Sequence, residues 1–344
     1  MYLMNEKALT YDDIILVPQY SEIESRHEVD LTMDLNNYGY VPLPIIASPM
    51  DTVCGEKMAE TLFMEGGMGV LHRYADLEDR VTWVENLCYK GIVACVAIGA
   101  TGEFFEEAQE LYNAGARVFC LDVAHGHHKY VQKAIKKLRI MYDSRIHIMA
   151  GNVATSYGTE ALIKWGADSI RVGIGGGSVC TTRIKTGHGM PNVTALLEAK
   201  KVKDDCGSNV SIIADGGIRT SGDMVKAFAC GADAVMLGSL LAGCDESPGE
   251  VYHDEEGRAY MKFRGMASEA AQRDWRGKSS VVEGESTKIP FKGSVKNILD
   301  DIAGGIKSGV SYSGLDKLSD LCDNAMYVVQ SGASIAEGKP HALS

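Results

Sequence analysis

A (β/α)8 barrel, the TIM-barrel class of α/β fold, is what this sequence predicts, and three observations predict it. Short runs rich in β-branched residues recur from about residue 45 onward, at Leu43–Ala47, Gly91–Ile98, Val118–Asp122, Ile146–Ala150, Ser169–Val172, Val210–Ala214 and Ala234–Leu237. Each is apolar on both faces, as strands of a helix-covered parallel sheet are. A Gly-Ala step recurs at Gly115, Gly166 and Gly231, each time between a helical stretch and a strand. Glycine there ends the helix in the left-handed conformation and lets the chain turn into the sheet. Polar or glycine-rich segments follow the strands again and again, where barrels carry their chemistry. An open doubly wound sheet, the runner-up, gives no reason to put such segments after so many strands.

Bulk composition bounds the rest. The chain has 344 residues, 45% hydrophobic and 23% charged, which fits one big domain or two modest ones; the barrel reading makes it a single domain spanning 1–344. A formal net charge of −12 argues against nucleic acid as the main partner, which would need a concentrated basic surface. A small anion stays compatible, because backbone amides bind phosphate whatever the net charge. The 9 cysteines are scattered and contain no C-x-x-C pair, so neither a disulfide framework nor a zinc site is expected. No leader-like or membrane-length apolar run is present, and the reading is a reduced, cytoplasmic protein without a membrane partner.

Taken in order, residues 1–40 read as an N-terminal arm. Ser48-Pro-Met50-Asp51 follows the first strand. Asp122-Val123-Ala124 follows the third run, and His125, His127 and His128 after it read as helix-start histidines rather than a metal site. Gly151-Asn-Val153 comes next, then the glycine loop Gly173-Ile-Gly175-Gly-Gly177-Ser178-Val-Cys180-Thr-Thr182. A lone cysteine is as a rule a small buried hydrophobe. Cys180 differs by its place after a strand and a glycine loop, where amide N–H groups and a nearby cation would favour the thiolate. Asp215-Gly216-Gly217 and Gly238-Ser239 follow the last two strands, the usual phosphate station of a barrel. Asp215 would repel phosphate and better suits sugar hydroxyls, so the pair points to a nucleoside monophosphate. Residues 244–294 form a long polar insertion near the C-terminus, read as a flap or lid.

These pieces, in this order, resemble the IMP dehydrogenase and GMP reductase family. The matching stretches are Ala47–Val53, Met149–Val153, Val172–Arg183, Ile213–Ile218, Val235–Ser239, Arg264–Ser268 and Pro290–Gly293, and the likeness covers about residues 9–335. The resemblance implies that Cys180 attacks C2 of a purine, with Thr182 and the flap residue Glu283 handling protons. It implies a phosphate cradle of Ser178, Gly217, Gly238 and Ser239, a ribose ligand in Asp215, and Met50 and Met266 beside the base. Ser48, Gly216, Gly265, Ala267 and Gly284 are further implied substrate contacts. Asp122, Val123 and Ala124 resemble the nicotinamide neighbours, and Ser25-Arg26 a second cofactor contact. The carbonyls of Gly175, Gly177 and Cys180 match positions that hold a monovalent cation, K+, in the dehydrogenases. The likeness also implies a homotetramer.

Within the family, the expectation is NADPH-dependent reduction of GMP to IMP. Nothing the size of the CBS modules usual in the dehydrogenases interrupts this chain, and no tyrosine lies between Gly265 and Glu283 for a water-activating Arg-Tyr pair. The alternative is a CBS-less dehydrogenase oxidising IMP to XMP with NAD. Departures from the pattern are Gly176 in place of the proline usual in the cysteine loop and Ser280 in place of a reductase flap arginine, and the segments 331–334 and 47–50 look more like the dehydrogenase side.

Overall fold

Strands this short and this apolar are stable only when both faces are covered, and closure of the sheet on itself achieves that. The computed structural model describes residues 7–279 and 281–340; Ser280 lies outside them. Eight parallel strands form a closed barrel. They are β1 Ile45–Ala47, β2 Met68–Leu71, β3 Cys95–Ile98, β4 Val118–Asp122, β5 His147–Val153, β6 Ser169–Val172, β7 Ser211–Asp215 and β8 Ala234–Leu237. They neighbour one another in chain order, and Val235↔Ile45 and Leu237↔Ala47 close the ring. The outer helices are α1 Glu56–Met64, α2 Leu77–Tyr89, α3 Phe104–Ala114, α4 Lys129–Tyr142, α5 Ser156–Trp165, α6 Asn192–Asp205, α7 Ser221–Ala229 and α8 Val295–Tyr312. The predicted fold is the observed one.

The Gly-Ala steps do what the pattern required: Gly115, Gly166 and Gly231 have φ of 122°, 101° and 98° as helices end. Two differences concern strands. β2 has no counterpart among the predicted runs, because Gly66-Gly67-Met68-Gly69 dilutes its β-branched signal. Its glycine is a packing requirement, since a Cβ on Gly69 would sit 2.4 Å from the Ala59 Cα. β3 starts only at Cys95, and β5 runs on to Val153, so Gly151-Asn-Val153 belongs to a strand rather than to a loop.

Side chains of alternate strand residues fill the barrel, among them Ile46, Val70, Cys95, Cys120, Met149, Ile213 and Met236. The hairpin Met33–Leu35/Gly39–Val41 closes the floor, with Leu35 and Val41 joining that interior cluster. Asn36 N–H donates to Ser211 Oγ at 2.9 Å, tying the hairpin to the first residue of β7. A further described part of the N-terminal arm is also built in, with Ile14–Leu16 pairing antiparallel to Tyr327–Val329. The polar insertion is folded rather than structureless: Tyr252–His253, Ala259–Arg264 and Ser286–Pro290 make an antiparallel sheet, and Glu269–Arg276 is a helix. No helix among the described residues is long and apolar enough to cross a membrane. With the floor plugged, the open end is the C-terminal mouth.

Candidate functional site

One cavity of about 710 Å3 occupies that mouth, a size within the range of small-molecule sites. Ser48 and Met50 line it from the end of β1, Asp122, Val123 and Ala124 from β4, and Gly175, Gly177, Ser178, Cys180 and Thr182 from the loop after β6. Asp215, Gly216 and Gly217 enter from β7, and Gly238 and Ser239 from β8. The flap supplies Gly265, Met266, Ala267, Glu283 and Gly284. Ser25 and Arg26 are elsewhere. They lie at a short 3-10 turn, Arg26–Glu28, that packs on α8, with the Arg26 guanidinium 5.6 Å from the Tyr312 ring centre. Within one chain the structure does not bring them to the cavity.

The cysteine loop is shaped by its neighbours. Gly173 leaves β6 at φ 145°, and a Cβ there would fall 2.0 Å from the Asp215 carbonyl oxygen. Gly175 has a φ of 76°, whereas Gly176 and Gly177 keep ordinary angles; a side chain on Gly176 would strike Asn192. Asn192, at the start of α6 and 6% exposed, donates Nδ2 to the Gly216 carbonyl at 2.7 Å and so locks two cavity loops together. The cation expected beside Cys180 is not Arg183, whose Nε donates to Ile174 O at 3.1 Å and whose Nη2 donates to Met190 O at 2.5 Å.

Cys180 is set apart from the other cysteines of the described residues by its place on the cavity wall. Burial pushes the Cys95 thiol up to about 12 and the Cys120 thiol up to about 11, so these remain protonated packing groups. Cys180 is half-buried on the cavity wall, with Sγ 3.2 Å from Thr182 Oγ1. The Thr182 hydroxyl donates in turn to Glu283 Oε2 at 2.8 Å. The flap holds this chain in register: Thr181 N–H donates to Glu283 O at 3.0 Å, and Glu285 N–H donates to Val179 O at 2.9 Å. On its other side Glu283 N–H donates to Ala267 O at 3.1 Å. Gly284 fits because a Cβ there would come within 3.1 Å of Ser268 N.

Two aspartates flank the cysteine, joined by a residue that sequence reasoning missed. Arg171, on β6 and 6% exposed, donates Nε to Asp215 Oδ2 at 3.1 Å and Nη1 and Nη2 to Asp122 Oδ1, each at 3.3 Å. Asn152 Nδ2 adds a second bond to Asp215 Oδ2 at 2.8 Å, and Arg73 pairs with Asp122 Oδ2 at 3.5 Å. The available signal was a charge inside the apolar strand Ser169-Ile-Arg-Val172. These pairs engage both oxygens of Asp122 but leave Asp215 Oδ1 open to a hydroxyl donor.

Around the cavity, the N–H groups of Ser178, Gly217 and Ser239 have no acceptor among the described residues, an arrangement that suits an anion. The carbonyls of Gly175 and Cys180 have no donor among those residues, and Gly177 O spends one lone pair on Cys180 N–H at 3.1 Å. That donor set fits a monovalent cation. Gly99, Thr101, Asp122–Ala124 and Tyr130 also line the cavity, on its β3–β4 side. His128 caps α4 by accepting from Tyr130 N–H at 3.2 Å, the helix-start role read from the sequence.

The flap is anchored by Asp51, the second missed residue. Its carboxylate, 5% exposed, accepts from Arg264 Nη2 at 2.6 Å and Nε at 3.1 Å, and from Trp275 Nε1 at 2.9 Å.

Comparison with known proteins places this geometry. The IMP dehydrogenase / GMP reductase domain model matches residues 8–341. The inosine-5'-monophosphate dehydrogenase of Nitrosopumilus maritimus is 30% identical over 472 residues, covering 98% of each chain. GMP reductase 2 of Bos taurus is 38% identical over 341 residues, covering 95% of each. The crystal structure of a singly substituted GMP reductase from Trypanosoma brucei in complex with guanosine 5'-monophosphate superposes with a TM-score of 0.91 at 28% identity, covering 99% of each chain. Matched over nearly its whole length, and with its cysteine loop lining the cavity at the barrel mouth, the chain belongs to the IMP dehydrogenase / GMP reductase family.

Proposed function

We propose that the chain is a GMP reductase, converting GMP to IMP and ammonia with NADPH. One observation carries the choice over IMP oxidation: a carboxylate, Glu283, is hydrogen-bonded through Thr182 to the cysteine, while the segment Gly265–Glu283 contains no tyrosine for activating water. GMP reductases at 36–38% identity support the reading, with the GMP-bound structural relative.

In this reading the GMP phosphate sits on the amides of Ser178, Gly217 and Ser239 beside Gly238. Asp215 takes the ribose hydroxyls, next to Gly216. Ser48, Met50, Gly265, Met266, Ala267 and Gly284 enclose the base. Cys180 passes its proton through Thr182 to Glu283 and adds to C2, forming a carbon–sulfur bond. Glu283 returns the proton to the 2-amino group, and the carbon–nitrogen bond breaks with ammonia leaving. NADPH, when bound beside Asp122, Val123 and Ala124, supplies the hydride that reduces C2. The carbon–sulfur bond then breaks, its electron pair returns to Cys180, and IMP leaves. A K+ ion on the Gly175, Gly177 and Cys180 carbonyls would steady the loop. A homotetramer would let Ser25 and Arg26 of one copy serve the cavity of another.

The test mixes purified protein with GMP and NADPH and follows the loss of NADPH absorbance, which is the expected result. No consumption there, together with NADH formed from IMP and NAD, would overturn it in favour of the dehydrogenase.

A further inference from the structure

Pro290-Phe-Lys-Gly293 matches the family, yet the chemistry above gives it no task. In the fold, Lys292 lies behind the turn that follows β8. Its N–H donates to Gly243 O at 2.8 Å, and its ammonium donates to Ser239 O at 2.6 Å and Leu240 O at 3.0 Å. Within that turn Leu241 and Ala242 N–H both donate to Gly238 O, at 3.0 Å. A trans peptide points its carbonyl and its N–H in opposite directions. The Ser239 carbonyl faces Lys292, so the Leu240 N–H is turned away from it, and among the described residues it meets no acceptor.

The charge is equally one-sided. Among the described residues no carboxylate is paired with Lys292; the ionisable group acting on it is the Cys244 thiol. Ser178, Gly217, Gly238 and Ser239 are neutral, and Arg219 at the cavity edge is engaged by Asp12 and Asp223. Lys292 is exposed, and its ammonium is held by two carbonyl oxygens rather than by a counter-ion, so its charge is available to an anion in the adjoining cavity. We infer that Lys292 is the positioning residue for the nucleotide phosphate: it fixes the Ser239–Leu240 peptide so that its N–H meets the phosphate, and supplies positive charge behind it. This rests on the proposed nucleotide site but not on the direction of the reaction, because GMP and IMP carry the same phosphate.

The experiment compares Lys292→Met, Lys292→Gln and Lys292→Arg in the full chain, with GMP, IMP and guanosine as calorimetric probes. Met and Gln should each weaken GMP and IMP by about tenfold or more, and leave guanosine within about twofold of the parent. Arg should restore most of the loss, and KM for the nucleotide should rise with kcat little changed. Equal losses for nucleotide and nucleoside, or no loss in a variant that unfolds at the parent's temperature, would overturn the inference. Should IMP rather than GMP turn over, the reductase reading falls while the phosphate result stands.

Discussion

The Thr182 hydroxyl donates to Glu283 Oε2 at 2.8 Å while standing 3.2 Å from Cys180 Sγ, joining a barrel loop to a flap 101 positions away in the chain. A proton can pass along this line without solvent, and it exists only while the flap is docked.

Glu283→Gln keeps the shape and removes the proton acceptor. It should lower kcat by about 10²–10⁴-fold, with GMP affinity nearly unchanged. Thr182→Val should do the same, and the double variant should lose little more than either single one, because the two act as a unit. Steady-state rates beside calorimetric affinities decide this.

Asp51→Asn removes the charge that Arg264 is paired with, at nearly constant volume. Breaking a fully buried ion pair from one side costs about 3–5 kcal/mol; Arg264 keeps Asp274 as a second partner, so the loss on flap docking should be smaller than that. KM for the nucleotide should rise, and amide exchange over Glu283–Glu285 should quicken while exchange in the barrel strands does not. Unchanged exchange in that segment would show the flap to be held elsewhere.

Two glycines of the same loop should respond differently to alanine. Gly173→Ala drives a Cβ to 2.0 Å from the Asp215 carbonyl at φ 145° and should cost about 3 kcal/mol or more. Gly187 has φ 70° with open space around it, so Gly187→Ala should cost only about 1 kcal/mol of left-handed strain. Denaturant unfolding of the two variants gives the contrast.

Burial draws both His72 and His147 down to about 4. His72 Nδ1 accepts from Tyr74 N–H at 3.1 Å, and His147 Nε2 lies 2.7 Å from Ser169 Oγ. Both are neutral in the fold but protonated in the unfolded chain below its ordinary pKa of about 6.5. The unfolded state therefore binds more protons across this window, and stability must fall as pH drops from about 6.5 to 4, by up to about 3 kcal/mol for each histidine. Their imidazole resonances should keep neutral shifts at a pH near 5.5, where exposed histidines have moved.

Much of this was legible before any coordinates. The barrel could be read from apolar runs and Gly-Ala helix ends, because local backbone rules act within a few residues. The glycine loop, Asp215-Gly-Gly217 and Gly238-Ser239 could be read as one site because a barrel sends every strand end to the same mouth. Asp51, Asn192 and Arg171 could not be given tasks that way. Each acts through partners far along the chain: Arg264, the Gly216 carbonyl and the paired aspartates.

The sequence by itself determined the fold class and singled out the cysteine loop and the strand-end glycines that share the cavity, since these follow from periodicity, glycine placement and motif order. Only the tertiary structure decided that the long insertion folds into a sheet and helix over the cysteine, that Ser25 and Arg26 stand apart from the cavity within one chain, and that Lys292 meets the Ser239 and Leu240 carbonyls. Those facts depend on which distant surfaces meet. Burial and unpaired charge select among such meetings, and neither is defined until the chain has closed on itself.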